Sequence, residues 1–364
     1  MKASDPKDHI YALLGISKIR LRPDYSQRTS IAVVYRDYVA AWLEDWRAGK
    51  CGSLEELVML IGSGCAIDPS RTLPSWAPNY PAIAGRPGQA ARDIYTGKAD
   101  HDVFPAGTPS SAIVNLSLFI SAIHLETVVR IEVCDYDAYF SLSTFDFLAE
   151  FISRSEKYPT GISSIQALLQ LFLRDICEQN TFDTKLLSKA LFILRIIING
   201  NSKNPAGFEH SKKALQRLGI SADSAAVFSS SFLEAFGPLH LSVDSAEILQ
   251  LLFIWYQELS GEYYGGDDSP ISPAVRMDVL EELLMCRNMA LFTTSSGYIG
   301  ICRQGVKVQD RVCVLKGSGV LWILRNMGNA NDYVNVCSCH IVGLMDGEAA
   351  ECLGQKSVER FEVR

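Results

Sequence analysis

Apolar residues change their spacing three times along this 364-residue chain, from helical to strand-like and back, and then to strand-like again near the end. Ile10, Leu13 and Leu14 recur at helical spacing behind Asp5-Pro6 and ahead of Gly15. Asp5 can cap such a segment, Pro6 can open it and Gly15 stops it, so a short helix is predicted. After the turn-rich Arg22-Pro23-Asp24-Tyr25-Ser26, residues 30–47 place Val33, Val34, Tyr38, Ala41 and Trp42 on one face, the pattern of a long amphipathic helix. Ser53-Leu54-Glu55-Glu56 reads as the capped start of another helix, ending near Gly62. Leu73-Pro74-Ser75-Trp76-Ala77-Pro78 excludes regular structure, because each proline lacks a donor and holds the residue before it extended. Residues 81–108, rich in Gly, Pro, Ala and Asp, predict a long loop.

From residue 112 the density of Ile113, Leu116, Leu118, Ile120, Ile123, Val128, Val129, Ile131 and Val133 predicts two strands joined near His124 or Leu125. Helical spacing returns over 144–153, 162–178, 183–198, 211–218, 224–236, 243–259 and 274–284. Beyond Cys286, short apolar runs at 290–292, 298–301, 311–315, 321–325 and 333–342 are separated mostly by Gly or Asn. Short strands so close together bury their apolar faces by curling into a barrel or packing on a partner layer. The strand pair at 113–133 needs company for the same reason. The expected fold is therefore α+β: mostly helical, with a small split β-barrel or sheet formed by residues 112–133 and 290–345. Residues 1–111 form an N-terminal helical segment and long loop, 112–134 plus 286–364 the β unit, and 135–285 a helical insertion.

Composition narrows the class of molecule. A hydrophobic content of 48% with 21% charged residues supports a large core. A net charge of −7 and a pI near 5.5 remove the electrostatic basis for nucleic-acid binding, which needs clustered Lys and Arg. No apolar leader opens the sequence. No apolar stretch reaches the ~20 residues of a membrane span. Ten cysteines at irregular spacings read as reduced thiols used like small hydrophobes, which points to the cytoplasm.

Candidate chemistry is sparse. Cys337-Ser338-Cys339-His340 resembles a metal-ligand cluster, yet on a strand Cys337 and Cys339 share a face while His340 points away. Cys302 or Cys313 as a nucleophile needs a base that no nearby His supplies. Asp267 and Asp268, with Glu262, could hold Mg²⁺ but read more simply as loop acids beside Gly265-Gly266 and Pro270. Trp255, Tyr256, Tyr263, Tyr264 and Trp322 are candidates to line a ligand cavity. Arg325, ending a strand, can bind a carboxylate through two parallel hydrogen bonds; a structural bridge to Asp8 is expected there, and a ligand role is the alternative. No metal or cofactor is expected.

Asp5-Pro6-Lys7-Asp8, Tyr11 to Gly15, Pro23-Asp24-Tyr25 and Leu73-Pro74-Ser75-Trp76-Ala77-Pro78 occur in order in the first part of the chain. Thr294 to Gly300, Gln309 to Leu315, Leu324-Arg325 and Gly343 to Glu348 follow in the last. Together these elements resemble the downstream region of fungal heterokaryon-incompatibility (HET) proteins. Gln309 stands where that family usually has Gly, and Cys337 falls where Gly is common. The family's TIR-like signature domain lies upstream of the Asp-Pro-Arg-Asp block, and its characteristic segments do not occur in this chain, so no chemistry of that domain transfers to any residue here. The resemblance implies a non-enzymatic regulatory or interaction module that binds a protein partner or a small molecule, with neither nucleic acid nor membrane involved. The alternative is a cyclase or isomerase of fungal secondary metabolism on the same scaffold. A deep enclosed pocket with perturbed acids would favour the enzyme, and a shallow apolar patch the binder.

Overall fold

A computed structural model describes residues 5–12, 14–15, 19–50, 64–65, 73–80, 98–134, 142–154, 157–173, 181–182, 184–201, 240–241, 273–285, 289–329, 331–350 and 356–364. In chain order its elements are α1 (Asp8–Tyr11), α2 (Ile31–Arg47), β1 (Ala112–Val114), β2 (Ser117–Val133), α3 (Leu142–Ser153), α4 (Ser164–Phe172), β3 (Thr181–Phe182), α5 (Thr184–Asn201), β4 (His240–Leu241), α6 (Pro273–Met285), β5 (Met289–Thr294), β6 (Ile299–Arg303), β7 (Arg311–Leu315), β8 (Leu321–Asn326), β9 (Asp332–Ile341) and β10 (Glu359–Val363). The predicted segments 53–62, 211–218, 224–236 and 243–259 lie outside the described residues. Two compact units divide the chain: residues 1–131, 292–296 and 300–364 form one, and 132–291 with 297–299 the other.

In the first unit, α1 begins where Asp5 accepts the Lys7 amide at 2.9 Å. Ser30 caps α2 by accepting from Val33 N at 3.4 Å, and the face carrying Val34, Tyr35, Tyr38, Val39, Trp42 and Leu43 is buried, as the apolar stripe predicts. A tight turn joins β1 to β2, with Asn115 at φ 55°; a short amide side chain tolerates that left-handed geometry better than most.

The sequence-based expectation of two strands ending near His124 is replaced by one 17-residue strand, β2. The irregularity sits where the turn was expected, but it is a bulge between His124 and Glu126. A bulge takes up an extra residue and bends a strand without ending it. At about 3.3 Å per residue, β2 is long enough to serve several partners. Residues 118–119 pair with both β1 and β10, which therefore occupy its two edges, and residues 122–127 pair antiparallel with β7.

The resulting sheet has eight strands in the order β1-β2-β5-β6-β9-β8-β7, with β2 also joined to β7 and β10 joined to β2 and β9. Because β2 meets β5 on one path and β7 on the other, β2, β5, β6, β9, β8 and β7 close on themselves. Closure removes the exposed edges that short strands would otherwise present. Ile120, Phe292, Val312, Val314, Leu321, Ile323, Val336 and Phe361 are wholly buried and supply its core. Gly300 is required where β6 crosses β9: a Cβ there would lie 2.5 Å from the Phe292 ring and 2.8 Å from the His340 carbonyl.

The expectation of a mostly helical chain carrying a small β element is overturned. The molecule is roughly 31% helical and 28% strand, with a large antiparallel sheet. The extra strand content comes from the uninterrupted β2 and from β10, where Phe361 and Val363 are buried between more exposed charged neighbours.

In the second unit, Ser163 caps α4 through Gln166 N at 3.0 Å. Lys185 and Lys189 of α5 pair with Asp278 of α6 at 3.1 and 3.6 Å. The Tyr158 hydroxyl accepts from Ile299 N at 3.2 Å while its ring meets Tyr298 edge-on. No helix among the described residues is long and apolar enough to cross a membrane.

Candidate binding pocket

The segment Leu73-Pro74-Ser75-Trp76 is irregular, as its prolines require, yet Leu73, Ser75 and Trp76 are buried. Ser75 fastens it to the sheet. Its hydroxyl accepts from Asn335 N at 2.9 Å, its carbonyl accepts from Asn335 Nδ2 at 3.3 Å, and both its amide (3.0 Å) and its hydroxyl donate to the Arg364 carbonyl. Trp76 Nε1 donates to the Leu116 carbonyl at 3.1 Å, which ties the same segment to the β1–β2 turn.

Between these anchors, all within the first unit, lies a cavity of about 490 Å³ lined by Ala32, Leu73, Pro74, Ser75, Leu116, Ser117, Met327, Asn329, Asp332, Val334 and Arg364. Its floor is apolar. Leu116 and Met327 remain 42% and 40% exposed, far more than large apolar side chains buried against a core.

One charged cluster edges the pocket. Arg364 Nε lies 3.0 Å from Asp332 Oδ1 and 3.3 Å from Glu362 Oε1. Glu362 also accepts from Ser117 Oγ at 2.7 Å, and Asp332 Oδ2 from Asn329 Nδ2 at 3.3 Å. Asp332 is only 5% exposed, whereas the Arg364 side chain is 58% exposed.

Of the residues singled out from sequence, the described Trp322 and Arg325 do not line this cavity. Trp322 is buried in the barrel, with its indole N–H on Ser318 Oγ at 2.9 Å. Arg325 forms the two-pronged carboxylate contact that its position suggested, but with Asp310 and not with Asp8: Nε to Oδ1 at 2.8 Å and Nη2 to Oδ2 at 2.7 Å. Asp8 instead accepts from the Tyr25 hydroxyl at 2.6 Å. Trp255, Tyr256, Tyr263 and Tyr264, like Glu262, Asp267 and Asp268, lie outside the described residues.

Among the described cysteines, Cys134, Cys302, Cys313, Cys337 and Cys339 are buried thiols and Cys65 is half-buried. Cys302 faces Cys339 across β6 and β9. Burial pushes the Cys302, Cys313 and Cys339 thiols up, and Cys134 up to about 12, so they stay protonated and poorly nucleophilic at neutral pH. Among the described residues no group of three or more His, Cys, Asp or Glu side chains is placed to hold a metal ion. The His124 pKa is lowered, first by burial and then by the Arg311 charge.

Sequence reasoning missed the pocket residues. Leu73 to Trp76 stands out in the sequence as an irregular stretch and as part of a family motif, neither of which marks a pocket, and the further hint is an apolar residue beside each of two turn-formers, Leu116 after Asn115 and Met327 before Gly328.

Comparison with protein families agrees with the motif resemblance. Residues 277–358 match the Het-6 beta-barrel domain, a span that holds all of β5 to β9 and is consistent with a HET-related region downstream of the HET domain. β1, β2 and β10 complete the sheet from outside the matched span. No curated protein and no solved structure matches the chain.

Proposed function

We propose that this heterokaryon-incompatibility-type module is a non-enzymatic interaction module of the fungal cytoplasm, and that its pocket receives part of a protein partner. In this reading residues 112–134 and 286–364 are the binding part, completed by Ala32 and Leu73 to Ser75 in the pocket wall, and residues 135–285 a helical insertion that it carries. The observation that supports it is the pocket rim. Leu116 and Met327 keep large apolar surfaces in water around an apolar floor, an arrangement that gains free energy when a partner covers it. An isomerase working by proton transfer would need opposed acid and base groups around the substrate, whereas the ionisable side chains lining this cavity, Asp332 and Arg364, are engaged with each other; a cyclase working by shape alone would need an enclosing cavity, whereas Leu116 and Met327 stay exposed here.

The reading is tested with the full chain labelled at its methionine ε-methyl groups, seven in all. Titration with the neutral probe 4-phenylbutan-1-ol is expected to move the Met327 signal, assigned through Met327→Leu, while leaving that of the more exposed Met277 in place. Movement of other methionines without Met327, or of none, overturns the pocket as a binding site.

A further inference from the structure

Resting on that reading, we infer that the segment seated in this pocket carries a cationic side chain, Lys or Arg, next to an apolar one. The inference comes from the charge balance at the pocket edge. Two carboxylates, Asp332 and Glu362, share the single Arg364 guanidinium, which leaves one negative charge unmatched. Asp332 is the more deeply buried of the two acids, and its Oδ1 accepts no hydrogen bond. Arg364 Nε approaches that oxygen to 3.0 Å, but the one hydrogen on Nε is directed at Glu362 Oε1. The guanidinium therefore shields Asp332 by charge without supplying it a donor.

A buried carboxylate oxygen without a donor is costly, and a charged donor relieves it most. Arg364, the cation paired with that oxygen among the described residues, is more than half exposed, so it can swing aside at little cost. An incoming ammonium or guanidinium then finds two acids and makes the cluster neutral. An incoming carboxylate would add a third acid to one cation. A neutral apolar segment would fill the floor and leave the imbalance in place. The chain's net charge of −7 disfavours a second copy of itself as occupant and steers a basic partner toward it.

The experiment uses the same methyl signal of Met327 in the full chain, with three blocked peptides: acetyl-Gly-Phe-Lys-Gly-amide and its analogues with norleucine or Glu in place of Lys. The Lys peptide is expected to bind about threefold or more tighter than the norleucine peptide, with the Glu peptide weakest, as one added ion pair at a partly exposed site allows. Raising the salt to about 1 M is expected to erase the Lys advantage. Asp332→Asn is expected to abolish it, and Arg364→Gln, once its methyl spectrum shows the native fold, to enlarge it. Equal binding of the Lys and norleucine peptides, or tighter binding of the Glu peptide, overturns the charge inference and leaves the pocket standing. Failure of all three peptides where 4-phenylbutan-1-ol also fails overturns the pocket itself.

Discussion

Replacing Arg325 by Met tests what closes the β7–β8 side of the barrel. Asp310, whose side chain is 3% exposed, accepts from Arg325 Nε, from Arg325 Nη2 and from Lys307 N at 2.7 Å. Arg325 also donates to the Gly305 carbonyl at 2.7 Å, so one side chain holds both the carboxylate before β7 and the loop after β6. Arg325→Met removes two of the three donors to a buried carboxylate and leaves its charge uncompensated. That loss is worth about 3–5 kcal/mol, a large share of the ~5–15 kcal/mol that holds a typical domain together. Adding Asp310→Asn to Arg325→Met removes the stranded charge, so the double variant is expected to recover about 1–2 kcal/mol of that loss. Urea unfolding followed by tryptophan fluorescence measures both, with Trp322 on the same strand as the local reporter. A loss below about 1 kcal/mol for Arg325→Met would show that the pair is a solvated surface contact and sink the clamp.

Three further outcomes are expected. Gln309 is exposed with φ 75°, a geometry that costs a side-chain-bearing residue about 1–2 kcal/mol; Gln309→Gly should relieve it, offset by the entropy of a freer unfolded chain, for a net gain of about 0.5 kcal/mol in thermal melts, while Gln309→Val should lower stability. Gly300→Ala places a methyl group against the Phe292 ring and the His340 carbonyl and should cost about 1–3 kcal/mol in the same melts. Burial lowers the His124 pKa in the folded chain, so below about pH 6.5 the unfolded chain takes up a proton that the folded one resists. Stability should therefore fall as pH drops through that value and level off once the folded form also protonates; His124→Gln should flatten this part of the pH profile, and an unchanged profile would refute the assignment.

Local signals were enough for some of this architecture. The stripe Val34, Tyr38 and Trp42 behind Ser30 specifies α2 because side chains three and four apart share a face and a hydroxyl satisfies a free amide. Short apolar runs cut by Gly or Asn specify β6 to β9 for a similar reason, since turn residues act on their immediate neighbours. Arg325 was legible as a carboxylate binder, but Asp8 was the wrong partner, because a charge pattern says what kind of group will be met and not which one. β2 was misjudged near His124 since a turn and a bulge interrupt period-two spacing alike, and only pairing with β7 tells them apart. The pocket lay further out of reach. Its walls come from residues 32, 73–75, 116–117, 327, 329, 332, 334 and 364, and both its charge imbalance and its exposed rim exist only once β2 and β10 have brought those stretches together. Helix caps, stripes and turns are settled within a few residues by backbone sterics and hydrogen bonding, whereas ring closure and cavity chemistry depend on register between strands up to hundreds of positions apart.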